Sequence, residues 1–247
     1  TFRSHHPRHF SQQQVVMQQF PIIINVRDRV EPLKLLVEWL ESVHQTNIWF
    51  CDNASTYPPL LEYLAASKYN VVRNEINLGH RGPWLSGLVT ELGEDTPFVV
   101  TDPDVIPVES CPADALEYFH STLVDYPEID KVGFSLLLED IPMHYAHRAD
   151  VLLWESQFWK NVHQSGFYFA EIDTTFALYR AGEHHQNNKA LRSPLPYTAR
   201  HFPWYQNSEA PTDEQVFYVE HADSLIINWD HKVLPASLRA HLSTLKK

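Results

Sequence analysis

Within about 85 residues the chain passes four times from an apolar segment into a polar cluster, with helical spacing between the passes. The segments are PIIINV (21–26), NIWFC (47–51), YNVVRN (69–74) and PFVVTDPDV (97–105). An unbroken β-branched run such as PIIINV is what a strand buried on both faces requires. Glu31-Pro32 then places proline in a first helical turn, and Leu33, Leu36, Val37, Leu40 and Val43 recur at helical spacing. Pro58 and Pro59 open a short helix through Leu60, Leu61 and Leu64, and a further helix is expected over about 83–92. This alternation predicts parallel βαβ units with right-handed crossovers, whose ligands bind outside the carboxyl ends of the strands. Each polar cluster stands at such an end: Arg27-Asp28, Asp52-Asn53, Asn77 to Arg81, and Asp102 with Asp104. Four clusters in register define a candidate site.

The second half is less regular. Residues 112–124 read as a helix, 131–138 as a strand, 149–161 as an aromatic-rich helix, 172–180 as the last strand and 213–222 as a short helix. The tract 183–212, with Pro194, Pro196, Pro203 and Pro211, is too long for a casual loop and reads as a lid or acceptor-facing segment. Residues 1–20 read as an arm that packs late or stays mobile, its His5, His6 and His9 solvated rather than metal-binding. No repeat and no linker divides residues 21–247.

Composition narrows the partners. Nineteen Lys and Arg against thirty-one Asp and Glu give a formal net charge of −12 with no basic patch, which disfavours nucleic acid and anionic lipid. The seven glycines form neither GxGxxG nor GxxxxGK[ST], which removes the glycine-dependent nucleotide cradles. Cys51 and Cys111 cannot make a disulfide framework and point to a reducing compartment. No run of about 18 apolar residues occurs, so neither a transmembrane segment nor a signal peptide is expected. The expected location is cytoplasmic, with peripheral attachment to a membrane left open.

Asp102-Pro103-Asp104 is the sharpest motif. Two carboxylates two residues apart at a strand end can face one hard divalent cation, which neutralises phosphate oxygens. The competing reading is a proline turn with two solvated aspartates. With DN-x-S at 52–55, N-x-G at 77–79 and D-x-D at 102–104, residues 21–180 resemble glycosyltransferases of the GT-A fold, family 2-type enzymes in particular. The resemblance implies an α/β, Rossmann-like single domain: a mostly parallel central sheet flanked by helices, with an irregular C-terminal acceptor-side region. Residues 21–110 would be the nucleotide-binding half and 111–247 the acceptor and catalytic half. The implied reaction moves a sugar, with inversion, from a nucleotide-sugar donor to a hydroxyl of a glycan, lipid-linked glycan or other acceptor. Mn²⁺ or Mg²⁺ would be the cofactor and a UDP-sugar the default donor. Asp102 and Asp104 would be the metal-side carboxylates, Asp102 also facing the donor, and Asp52 would contact base or ribose with Asn53 beside it. Asn77, Gly79 and Arg81 fit the same picture. Gly79 and Gly82 permit close backbone approach, and Arg81 can pair with phosphate or base, against the reading of an ordinary glycine turn. Arg27 is the weaker donor-side candidate, since it can equally pair with Asp28 or Glu31.

An inverting transfer also needs a general base. In the family this is a carboxylate in an E-D or similar pair at a helix start, and Thr212-Asp213-Glu214-Gln215 stands there in D-E order. Asp213 and Glu214 are candidates, with helix capping as the competitor. Asp173 and Asp140 are rivals that could equally hold loops. A histidine, from His201, His221 or His231, could complete the metal shell, with His231 the metal candidate. Trp204 and Tyr205 are the expected acceptor platform, against core packing. Two other classes stay open. PFVVTDPDV also resembles the first motif of haloacid dehalogenase-type phosphatases, with Asp102 as nucleophile and Asp104 as acid/base. A non-catalytic glycan- or nucleotide-binding module would keep the scaffold and lack the base.

Overall fold

β1 (Ile22–Val26) is buried at every position, as its apolar run requires. It lies between β2 (Ile48–Asp52) and β4 (Phe98–Thr101), parallel to both, with β3 (Asn70–Arg73) beyond β2. The computed structural model describes residues 18–184, 189–222, 229–230 and 232–246. Helix α1 (Glu31–Ser42) connects β1 to β2 and buries Leu33, Leu36, Val37 and Leu40 beneath the sheet. Helix α2 (Pro58–Ala66) leads into β3. A 3-10 turn at Gly79–Arg81, α3 (Gly82–Leu85) and α4 (Leu88–Gly93) lead into β4. The single helix expected over 83–92 is broken at Gly87, whose φ of 83° suits only glycine.

The order in the eight-stranded sheet is β3-β2-β1-β4-β9-β6-β10-β8. β9 (Ala177–Tyr179) runs antiparallel to β4 and to β6 (Lys131–Gly133); β10 (Ala190–Arg192) is parallel to β6; β8 (Tyr168–Phe169) is an antiparallel edge. The result is a mixed α/β sheet flanked by helices. The chain moves outward from β1 through β2 to β3 and then returns to the other side of β1 as β4. The carboxyl ends of β1 and β4 therefore diverge into the crevice where open α/β sheets bind ligands.

A second, three-stranded sheet is ordered β5 (Val105–Pro107), β11 (Thr198–His201), β7 (Ser135–Leu136). The chain enters it three times, from β4 through Asp102 to Asp104, from β6 through Phe134 and from β10 through Ser193 to Tyr197. The runs expected as single strands over 97–105 and 131–138 are thus each divided between two sheets. At the first crossing Pro103 offers no N–H to continue a ladder. The tract 183–212, expected to be irregular, supplies β10, β11 and a 3-10 turn at Phe202–Tyr205. Four further α-helices are described, α5 (Ala115–Asp125), α6 (Arg148–Glu155), α7 (Asp213–His221) and α8 (Ala236–Leu245), the last not anticipated; the helix expected over 149–161 ends at Glu155 and continues as a 3-10 turn at Ser156–Trp159.

At the amino end, Phe20 is fully buried and the Gln45 amide donates to the Gln18 carbonyl at 2.7 Å, so residues 18–20 belong to the packed domain rather than the arm. Residues 1–17, with His5, His6 and His9, lie outside the described residues. Both cysteines are free and buried. No described helix is long and apolar enough to cross a membrane.

The β6–β9 contact depends on Gly133, where a Cβ would lie 2.3 Å from the Phe176 carbonyl oxygen and 2.9 Å from the Ala177 Cβ. Gly133→Ala is expected to destabilise the domain by about 1–3 kcal/mol. Urea denaturation would show this as a lower midpoint at unchanged slope, and an unmoved midpoint would refute the close approach.

Candidate active site

The polar residues at the carboxyl ends of β1, β2 and β3 chiefly hold one another. Asp28, with a φ of 49°, accepts the Thr56 and Tyr57 amides at 2.6 and 2.8 Å and clamps the turn after β2. Arg27 donates to the carbonyls of Asn53 (2.8 Å) and Ala54 (3.1 Å) and lies 3.9 Å from Asp28. Asp52 accepts the Ser55 amide at 3.0 Å and pairs with Arg73 at 3.1 Å. The Asn53 amide nitrogen donates to Asn77 Oδ1 (2.9 Å) and the Gly79 carbonyl (2.8 Å), while its oxygen accepts the Leu78 amide at 2.7 Å. Asn77 also accepts the Gly79 amide at 2.9 Å. Gly82 closes the turn against β1, where a Cβ would meet Asn25 Oδ1 at 2.7 Å. Arg27, Asp52, Asn53 and Asn77 are therefore brought together as a rim whose side chains bind the loops. Two features of the rim stay open. Gly79 has φ 69° with free space where a Cβ would project, and Arg81 is exposed with no ion pair among the described residues.

Across the crevice, Asp102 and Asp104 sit where the chain leaves the main sheet. Asp102 is half-buried; its Oδ2 accepts the Thr174 hydroxyl at 2.6 Å and its amide donates to the Thr174 carbonyl at 3.1 Å. Burial holds its carboxyl well above the ordinary 3.8, and neighbouring Asp104 and Asp173 push the same way. Asp104 lies 3.5 Å from Arg29 Nε and 3.8 Å from His201 Nε2. Arg29 also pairs with Asp230 and lies 3.7 Å over the Tyr218 ring. Burial opposes its charge, but Asp230, Tyr218 and Asp104 outweigh that and hold it protonated. Burial lowers His201 below its ordinary 6.5, and its Nδ1 is buried without a hydrogen bond among the described residues.

No group of three or more His, Cys, Asp or Glu converges on one point among the described residues. The pair still has the donor chemistry of a hard cation: two carboxylates whose repulsion an ion would relieve. Mg²⁺-type ions commonly take one or two carboxylates and complete their shell with phosphate and water. Asp102 and Asp104 fit that arrangement. His231 lies outside the described residues. His221 is stacked on Phe217 at 3.9 Å, with its Nδ1 2.8 Å from the Phe217 carbonyl oxygen.

Asp173 is exposed next to Thr174, and the Thr175 amide donates to its Oδ1 at 3.1 Å. It is thereby set on the same edge as Asp102. It also borders a cavity of about 220 Å³ lined by Trp154, Glu155, Phe158, Thr175 and Arg192 among others. Glu155 is buried and paired with Arg192 at 3.0 Å, and burial pushes its carboxyl up to about 7.

The start of α7 divides its two acids. The capping box is formed by Thr212 with Gln215, and Asp213 stands exposed beside it. Glu214 is buried, and its Oε2 accepts the amides of Val30 (2.7 Å) and Glu31 (3.1 Å). It caps α1, whose own cap position, Val30, has no side chain to do so. Burial raises its carboxyl above the ordinary 4.5. Trp204 is 1% exposed, packed against His201 and Trp229, and presents no face to an acceptor. The Tyr205 hydroxyl contacts Asp140 at 2.6 Å, and Asp140 pairs with Arg200 at 2.7 Å. Sequence reasoning missed Arg29, Thr174, Tyr218, Glu155 and Arg192. Arg29 stood in the RDR after β1, but its partners lie too far along the chain for spacing to reveal them.

Glu214→Ala should lower stability by about 1–3 kcal/mol by stranding the buried Val30 amide and the partly buried Glu31 amide, whereas Asp213→Ala should change it by less than about 0.5 kcal/mol. Equal effects in urea denaturation would contradict the capping role. Glu155 generates a second expectation. With its carboxyl at about 7 in the fold against an ordinary 4.5, folded Glu155 keeps a proton that the unfolded chain releases. Stability therefore falls as pH rises between those values. Glu155→Gln should gain thermal stability relative to wild type at about pH 8 compared with about pH 5. A pH-independent difference in melting temperature would reject the assignment.

No protein-family model matches the chain, and no curated protein sequence matches it. Among solved structures the chain is similar to the mannosyltransferase PcManGT from Pyrobaculum calidifontis in complex with GDP-Man and Mn²⁺. The likeness has 13% identity and a TM-score of 0.46, and it covers 92% of this chain and 69% of that chain.

Proposed function

We propose that the chain is a metal-dependent glycosyltransferase that moves a sugar from a nucleoside diphosphate sugar to a hydroxyl acceptor with inversion. The observation that carries this reading is the placement of three carboxylates. Asp102 and Asp104 follow the carboxyl end of β4, which pairs with β1, and Asp173, next to the Thr174 that bonds Asp102, borders a cavity. On this reading the donor diphosphate lies over Asp102 and Asp104, which hold the metal. The metal, when bound, neutralises charge on the departing diphosphate. Arg81, exposed on the rim with no ion pair among the described residues, reaches the phosphates. Asp52, Asn53 and Asn77 shape the nucleoside side by fixing the loops after β2 and β3.

Asp173 is the base this arrangement favours. The Thr175 amide orients its carboxylate, and it faces the cavity from which a hydroxyl would approach. It takes the hydroxyl proton as the acceptor oxygen attacks in line with the leaving diphosphate. Asp213, exposed at the head of α7, is the alternative base, while Glu214 supports α1. A glycan or lipid-linked glycan would serve as acceptor.

A nucleoside diphosphate with Mn²⁺ at about 100-fold excess over its Kd should stabilise the fold by about 2.7 kcal/mol. That melting shift should vanish in Asp102→Asn/Asp104→Asn that remains folded by circular dichroism. Asp173→Asn should keep the shift but lose about 10²–10⁴-fold in turnover, with Asp213→Asn near wild type. The reverse pattern would move the base to Asp213, and a retained anomeric configuration would remove the inverting mechanism. A flat response to UDP, GDP, CDP and dTDP would overturn the donor reading.

A further inference from the structure

We infer that Lys131, buried beneath the 171–175 segment, is a positioning residue: through the Tyr179 hydroxyl it holds the backbone that presents Asp173 and Thr174 to the site. As an account of turnover the inference rests on the functional reading above, in which Asp173 is the base. As an account of how the segment is held it stands on the structure alone.

Lys131 is a charged group in an apolar place. It is fully buried, with Tyr179 of β9 and Ala190 of β10 as its partners across the sheet. It makes no ion pair among the described residues. Its Nζ lies 3.5 Å from the Tyr179 hydroxyl, its one hydrogen-bond partner among them, and 5.0 Å over that ring. A buried ammonium so sparsely matched lowers stability, and an apolar side chain in place of such a charge is commonly neutral or stabilising. Packing therefore gives no account of Lys131, but its connections do. An ammonium can only donate, so the Tyr179 oxygen accepts from it and the phenolic proton is left for the Asp173 carbonyl, also at 3.5 Å. Burial raises the Tyr179 phenol, and Asp173 and Asp102 push the same way, so that proton stays in place. A hydroxyl that accepts from a cation is polarised and donates more strongly onward. At Glu171 the arrangement is repeated without an intermediary: the buried Arg192 guanidinium donates to the Glu171 carbonyl at 2.8 Å. Alternate carbonyls of the segment are thus held by two buried cations, one directly and one through a phenol. Immediately beyond them the Thr174 hydroxyl meets Asp102 at 2.6 Å and the Thr175 amide meets Asp173 at 3.1 Å. Burial lowers the Lys131 ammonium from the ordinary 10.5 to about 8 against the pull of Asp173, Asp130 and Glu171, with Arg192 adding to the fall.

Two variants separate holding from packing. Lys131→Met keeps an unbranched side chain and removes the charge; Tyr179→Phe keeps the ring, which stacks on Phe98, and removes the hydroxyl. In the chain free of nucleotide and metal, Lys131→Met should melt no lower than wild type at about pH 7. Any excess should shrink between about pH 8 and 10.5, where the unfolded chain keeps a proton that folded Lys131 has released. The amides of Asp102 and Thr175, which close on this segment, should nevertheless exchange with deuterium about tenfold faster in both variants. With nucleotide sugar and acceptor, both should lower kcat about tenfold while the KM for the nucleotide sugar stays within about twofold, the pattern of a group that places the base rather than binds the donor. A Lys131→Met that melts well below wild type or does not fold would make Lys131 a packing residue and overturn the inference, as would wild-type exchange at both amides in both variants. Faster exchange, with no turnover of any nucleotide sugar by wild type, would keep the inference and remove the transferase reading. Turnover by wild type, with neither exchange nor kcat altered in the variants, would do the opposite.

Discussion

Two carboxylates that leave the main sheet within three residues of one another repel, and the candidate site is arranged around that repulsion. Asp102 is steadied by Thr174, through a hydroxyl at 2.6 Å and a backbone bond at 3.1 Å, while Asp104 faces Arg29 at 3.5 Å. These contacts join parts of the chain that share no local structure. Thr174 fixes the segment leading into β9, and Arg29 links the end of β1 to Asp230 and Tyr218. Among the described residues Asp102 makes no ion pair of its own, and its burial beside Asp104 raises its carboxyl despite the charge of Arg29, a repulsion that a divalent cation would relieve.

The same residues turn the chain. Pro103 ends the ladder of β4, so the segment that would have continued one strand becomes β5 of a second sheet, paired with β11. That pairing places His201 opposite Val105 and beside Asp104. The junction of the two sheets and the acidic edge of the site are therefore one feature. The opposite rim works differently. Asp28, Asp52, Asn53 and Asn77 commit their polar atoms to backbone amides and carbonyls, giving the loops fixed shapes without regular structure.

Glu214 illustrates how far a residue's role can lie from its local signature. In sequence it heads a helix with an acidic first turn, where the macrodipole favours it. In the fold it caps a different helix 184 residues earlier, and Thr212 with Gln215 caps its own. Asp173 shows the converse. In sequence it reads equally as a rival base or a loop-holding aspartate; the Thr174–Asp102 bond sets it on the acidic edge and the fold opens a cavity beside it.

The first four strands, their order of appearance and the polar clusters at their ends were legible in the sequence. Strands buried on both faces need long apolar runs, and parallel crossovers need helices with a regular apolar stripe. β6, β7, β9, β10 and β11 were not legible at their true lengths, because strands of two to four residues carry no usable period. Residue chemistry at Asp102 and Asp104 also came from sequence alone, since a D-x-D after an apolar run is a local pattern. Which carboxylate stands beside that pair was decided by tertiary structure. So were the partner that holds Arg29 and the burial of Trp204. Each depends on contacts between distant segments: Thr174 reaches Asp102 across 72 residues and Arg29 reaches Asp230 across 201. Local spacing encodes elements, and only packing assigns their side chains to one another.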